Sequence, residues 1–191
     1  MKILITGDSF GAIWPGTHGW AYKMSKSKEF DVTNVSQCGV SEYKIYKQLE
    51  RQNLSKYDCV IVNHTSPYRV HTKNHPIHQN ELHQHCDLLV NDILSKKNSW
   101  FNRSLKAAKL YFEYHYDYEY YEDIYKMIRK QINDLIDIKY LSVSHMNLAE
   151  YIIEDNHIDF NDTWEKHRGN ENHYNIIGNT IVYDTIIRKL K

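Results

Sequence analysis

The chain has 191 residues, with 24 basic and 24 acidic side chains, a formal net charge of +0 and no long block of either sign. That balance argues against a nucleic-acid surface or a polybasic membrane patch, and no apolar run approaches the roughly 20 residues that span a bilayer as a helix. The length suits one domain over residues 1–191, large enough to bury a proper core.

Lys2-Ile3-Leu4-Ile5-Thr6 reads as a buried parallel strand with Lys2 at its edge, ending at Gly7. With no signal peptide ahead of that strand and no spanning segment, a cytoplasmic protein is expected. A loop carrying Pro15, Gly16 and Gly19 leads to a short helix from Trp20 to about Lys28, marked by Trp20, Ala21 and Met24. Phe30 to Ser36 alternates as a second strand, closed by Gly39. Ser41 to Gln52 reads as a helix that Ser41 can cap, with Tyr43, Tyr46 and Leu49 on one face. Tyr57 to Asn63 is the cleanest buried strand in the chain.

The stretch from Tyr68 to Ile138 is helical in texture. Leu82, Cys86, Leu89, Val90, Ile93 and Leu94 keep helical spacing, as do Tyr121, Ile124, Tyr125, Ile128, Ile132 and Leu135, and a further helix is expected between Trp100 and Tyr118. Residues 70–138 therefore read as a helical insertion or cap on the same domain. Lys139 to Ser144 reads as a fourth strand. A last helix from about Asn175 to Leu190 places Ile176, Thr180, Tyr183, Ile187 and Leu190 on one face, with Gly178 in a close-packing role. Strands alternating with helices imply a mostly parallel sheet covered on both sides, a three-layer α/β/α sandwich.

Ser9 stands two residues beyond the first strand, where reactive groups collect in open α/β sheets. Gly7-Asp8-Ser9-Phe10-Gly11 matches the letters of the nucleophile elbow, but that turn needs earlier strands, and only six residues precede Gly7. A dinucleotide fingerprint is absent after the first strand. Cys38, Cys59 and Cys86 are odd in number and irregularly spaced, and read as free thiols in a reducing compartment. His71, His75, His78, His83, His85 and Cys86 could ligate a transition metal by spacing, yet no C-x-x-C or H-E-x-x-H pattern occurs, and solvated histidines are expected with no metal. The tyrosine-rich run Tyr111 to Tyr125 is expected to be helix core and surface rather than a platform for sugar rings.

Gly7-Asp8-Ser9 directly after an N-terminal strand resembles the first block of the SGNH (GDSL-type) hydrolases. Asn34-Val35-Ser36-Gln37-Cys38-Gly39 is similar to that family's second block, whose glycine N–H helps form the oxyanion hole. His173-Tyr174-Asn175-Ile176-Ile177-Gly178 is similar to the part of its last block that carries the catalytic histidine. The resemblance covers both ends and the strand skeleton but not roughly residues 70 to 138. It implies an SGNH/flavodoxin-like sandwich and a serine ester hydrolase. The implied substrate is a small ester, a thioester or an O-acetylated carbohydrate, with no cofactor.

In that reading Ser9 is the nucleophile, His173 its base, and the N–H groups of Ser9 and Gly39 face the oxyanion. Two positions depart from the family pattern. Asn170 stands where the family has Asp; it orients the imidazole, or Glu171 or Asp162 replaces the acid, or Ser9 and His173 act as a dyad. The third block is replaced by Asn63-His64-Thr65-Ser66-Pro67, so the remaining oxyanion donor falls to Asn63 or to the hydroxyl of Thr65 or Ser66. These departures keep a second expectation open, a catalytically inactive scaffold of the same fold that binds a glycan or protein partner.

Overall fold

The computed structural model describes residues 1–14, 19–97, 101–152, 154–169 and 173–191. In chain order its elements are β1 (Lys2–Gly7), α1 (Trp20–Lys26), β2 (Asp31–Asn34), α2 (Glu42–Glu50), β3 (Cys59–Asn63), β4 (Arg69–Val70), β5 (Leu88–Leu89), α3 (Val90–Ser95), α4 (Arg103–Tyr114), α5 (Tyr118–Leu135), β6 (Lys139–Ser144), β7 (His157–Asp159), α6 (Asn161–Lys166) and α7 (Ile176–Leu190). The main sheet has five strands in the order β2-β1-β3-β6-β7, every neighbouring pair parallel. Parallel neighbours require crossovers, and these carry the helices onto both faces.

Burial explains the layering. On one face Trp20, Ala21 and Met24 of α1 and Val182, Ile186 and Leu190 of α7 pack against Ile3, Ile5, Ile61 and Val143 of the sheet. On the other, Ile45 and Leu49 of α2 and Ile132 of α5 cover Leu4, Val60 and Val62. The three-layer sandwich expected from the strand pattern is the architecture observed. No helix of the described residues is long and apolar enough to cross a membrane.

The long middle stretch divides differently from its periodicity. Helix α5 returns to the sheet as a covering helix. Residues 69–117 carry the elaboration: the antiparallel pair β4–β5, then α3 and α4 around their own small core of Val70, Ile93, Leu105, Ala108 and Phe112. Leu82 to Cys86 are not helical; they form a histidine-rich turn that ends where Cys86 N–H donates to His83 O at 2.9 Å. The tyrosines largely serve this joint, with the Tyr116 and Tyr121 rings stacked at 4.8 Å and the Tyr111 and Tyr121 hydroxyls 2.5 Å apart.

Three helix details also differ from expectation. Helix α2 buries Ile45, Gln48 and Leu49 and leaves Tyr43 exposed. Ser41 makes no side-chain cap; its N–H instead donates to Asp87 Oδ2 at 2.8 Å. Helix α7 turns Gly178, Val182, Ile186 and Leu190 inward and leaves Ile176 exposed. Strand β7 and helix α6 carry no periodic signal that announced them.

Beneath α5 lies a buried polar network. Arg129 is fully buried and ion-paired with Glu154, and its guanidinium also reaches Ser142 Oγ at 3.4 Å. His64 Nδ1 lies 2.5 Å from Glu42 Oε1, joining the end of β3 to the start of α2.

Candidate active site

Strand β1 ends in a turn that only glycine can make. Gly7 has φ +149°, and a Cβ there would stand 2.4 Å from the Asn63 carbonyl oxygen on the neighbouring strand. Gln48 of α2 holds this residue from the side: Gly7 N–H donates to Gln48 Oε1 at 2.9 Å, and Gln48 Nε2 donates to Gly7 O at 3.3 Å.

Asp8 is buried beneath the turn. Its Oδ1 accepts from Phe10 N–H at 3.0 Å and from Asn63 Nδ2 at 2.6 Å, and its Oδ2 accepts from the Thr65 hydroxyl at 3.0 Å. Burial pushes this carboxyl above the usual range, opposed by the Arg69 guanidinium, by the Phe10 and Thr65 bonds and by His173. Ser9 is thus set on a turn braced on both sides, and its carbonyl accepts from Trp14 Nε1 at 3.0 Å.

His173 reaches the same place from the far end of the chain. Arg168 and Tyr174 form an antiparallel bridge, Gly169 N–H donates to His173 O at 2.5 Å, and Asn175 N–H donates to His167 O at 2.9 Å. Tyr174 is buried, with its hydroxyl 2.7 Å from His145 Nδ1. Asn175 then caps α7 by accepting from Gly178 N–H at 3.0 Å. Gly178 leaves room for this anchor, since a Cβ there would meet Tyr174 Cδ1 at 2.7 Å. The His173 ring packs 5.0 Å from Phe10 and 5.5 Å from Trp14, centroid to centroid.

Ser9, Gly39 and His173 line one cleft of about 360 Å³. Among the described residues His173 Nε2 is buried without a hydrogen-bond partner, and Ser9 Oγ makes no hydrogen bond. Gly39 sits in the left-handed region at φ +64°, with Cys86 so close that a Cβ would meet its Sγ at 2.5 Å. Its carbonyl is taken by Asp87 N–H at 2.9 Å and Arg69 Nη1 at 3.2 Å, while its N–H has no acceptor among the described residues.

The other expected site residues fall elsewhere. Asn63 and Ser66 do not line the cleft. The Asn63 amide is spent on Asp8, and Ser66 Oγ accepts from Tyr68 N–H at 3.3 Å. The Thr65 hydroxyl donates to Asp8 and accepts from Arg69 Nε at 3.2 Å. Asp162 stands on α6 with its side chain 86% exposed, 4.0 Å from Lys166. Asn170 and Glu171 lie outside the described residues.

Arg69 was not anticipated. It leaves β4 to line the cleft, as do His78, His83, Asp87 and Asp92 from the segment that follows. The signal for it in the sequence is slight, a lone cation just past the polar end of β3. The histidines make small local arrangements: His75 Nδ1 accepts from Ile77 and His78 N–H, and burial pushes His75 down to about 4. Among the described residues no three His, Cys, Asp or Glu side chains gather as a metal would need.

The sandwich with this strand order, a serine after β1 and a histidine ahead of the last helix has the fold of the SGNH (GDSL-type) proteins. The particular likeness is to a solved structure of a proposed lipolytic protein of the G-D-S-L family from Desulfitobacterium hafniense DCB-2, with TM-score 0.50, 13% identity and 98% of each chain covered. A G-D-S-L family lipolytic protein from Veillonella parvula DSM 2008 aligns at TM-score 0.39 and 14% identity, over 98% of this chain and 96% of that one. No family model and no curated protein matches the sequence.

Proposed function

We propose that the protein is a serine ester hydrolase. The observation that carries this reading is the convergence of Ser9, Gly39 and His173, from three distant parts of the chain, on one cleft beyond the carboxyl end of β1. In the proposed reaction His173 Nε2 takes the proton from Ser9 Oγ as the oxygen attacks an ester carbonyl, and returns it to the leaving group. The N–H groups of Ser9 and Gly39 receive the oxyanion, each such donor being worth about 3 kcal/mol in the transition state. Arg69 supplies the positive charge that the third-block side chains, bonded elsewhere, do not. Asp8 is the carboxylate that interacts electrostatically with His173.

The cleft lies at the small end of the ~300–1,000 Å³ range of ligand pockets, and charged side chains face it. Both features favour a small polar ester, a thioester or an O-acetylated carbohydrate over a long acyl chain. Turnover of p-nitrophenyl acetate tests the reading: Ser9→Ala and His173→Ala should each lower kcat by about 10³-fold or more.

One observation favours a second reading, a binding scaffold without catalysis: Ser9 Oγ and His173 Nε2 are not hydrogen-bonded. Hydrolysis by the native chain no faster than by its Ser9→Ala variant would decide for the scaffold.

A further inference from the structure

We infer that Cys38 and Cys86 form a thiol–disulfide modification site in the wall of the cleft, closing to a disulfide when a small-molecule disulfide such as oxidised glutathione enters. The two sulfurs are 4.0 Å apart across a sequence separation of 48 residues, and Cys86 Sγ also lies 3.3 Å from Cys38 O. A disulfide needs about 2.05 Å, so closure requires an approach of roughly 2 Å. Both cysteines sit on loops rather than in the sheet, Cys38 between β2 and α2 and Cys86 at the end of the turn before β5. Both face the cleft, which gives a soluble oxidant a route to them.

The pair is chemically polarised. The sulfur–sulfur contact with Cys38 pushes Cys86 below its ordinary range, and the Arg69 and Lys44 cations act in the same direction against burial and Asp87. The same contact pushes Cys38 up. Cys86 is therefore the attacking sulfur and Cys38 the resolving one. Cys59 does not compete, being fully buried in β3 and pushed up to about 11 by burial. Nor does the pair belong to a metal centre, since no third ligand joins it among the described residues.

The chemistry balances. Cys86 thiolate attacks one sulfur of oxidised glutathione, forming a mixed disulfide and releasing one glutathione thiolate. Cys38 then loses its proton to solvent and attacks the Cys86 sulfur, expelling the second glutathione. Two electrons pass from the protein dithiol to the oxidant. Gly39 follows Cys38 directly, and a Cβ on it would meet Cys86 Sγ at 2.5 Å, so drawing the sulfurs together displaces the Gly39 N–H. This last consequence rests on the ester-hydrolase reading, in which that N–H receives the oxyanion.

The test is to incubate the reduced protein with oxidised glutathione, count thiols after denaturation and map linked peptides by mass spectrometry without reduction. The expected result is one free thiol of the three cysteines, at Cys59, with a Cys38–Cys86 linked peptide, no retained glutathione and full reversal by dithiothreitol. Cys38→Ser should stop at a mixed disulfide on Cys86. Three surviving thiols, or glutathione held on the native chain, would overturn the site. In parallel, p-nitrophenyl acetate turnover should fall at least tenfold on oxidation and return on reduction. An unchanged rate with the disulfide formed would overturn the link to Gly39. A chain that forms the disulfide but hydrolyses nothing in either state keeps the site and overturns only the hydrolase reading.

Discussion

Asp8 shows how a single side chain organises the candidate site. Its carboxylate gathers a backbone N–H, the Asn63 amide and the Thr65 hydroxyl, and so ties the end of β1 to the end of β3 with Ser9 between them. Asp8→Asn turns one acceptor into a donor facing another donor. It should cost about 1–3 kcal/mol in urea unfolding and lower kcat with Ser9 intact. At this scale Ser9 and His173 were singled out by resemblance and line one cleft with Gly39, while Gly7 and Gly39 were legible in the sequence because their backbone conformations demand glycine. Asn63 was not, because a sequence does not say which partner takes an amide. The Asn63 side chain bonds inward to Asp8, and the cation in the cleft comes from Arg69 instead.

His145 makes a second prediction at the same scale. Its ring is stacked between Phe10 at 4.7 Å and Phe160 at 5.5 Å, and burial pushes it down to about 3. The unfolded chain binds the proton below about pH 6.5, whereas the folded chain does not until about pH 3. Stability tied to neutral His145 is therefore whole above pH 6.5 and is lost as pH falls through that window, by about 1.4 kcal/mol per unit. His145→Phe should flatten the dependence of urea midpoint on pH between 6.5 and about 4. An unchanged slope would contradict the assignment.

Helix starts and faces decide whether those residues meet. Asn175 caps α7 two residues after His173, so Asn175→Ala should cost about 1 kcal/mol in thermal unfolding. It should also lower kcat more than KM is raised, because the histidine loses its anchor. The element pattern was legible where strands were apolar and long, as in β1 and β3, both buried along almost their whole length. It failed where short spacing coincidences mimicked a helix, as from Leu82 to Cys86. It failed also for β7, whose three residues are too few to show a period. The faces of α2 and α7 were misjudged because Tyr43 and Ile176 are apolar by composition yet sit outside, while Gln48 is drawn inward by its bonds to Thr6 and Gly7.

The whole sandwich is held by apolar layers on both faces and by the buried Arg129–Glu154 ion pair, which joins α5 to the loop before β7. Arg129→Met removes one partner of that buried pair. The expected loss is about 3–5 kcal/mol, read as a lower urea midpoint. Parallel strands buried on both faces have little freedom in sequence, which is why the sandwich could be read before the structure. The segment from 69 to 117 could not, because its small core and its cleft wall answer to local contacts rather than to the sheet.

Labelling with a fluorophosphonate probe tests the central claim most directly, since the probe reacts only with a serine that an adjacent base has activated. The account predicts a single adduct on the peptide carrying Ser9, lost in His173→Ala and in Ser9→Ala. An unlabelled native chain, or an adduct that persists without His173, would contradict it.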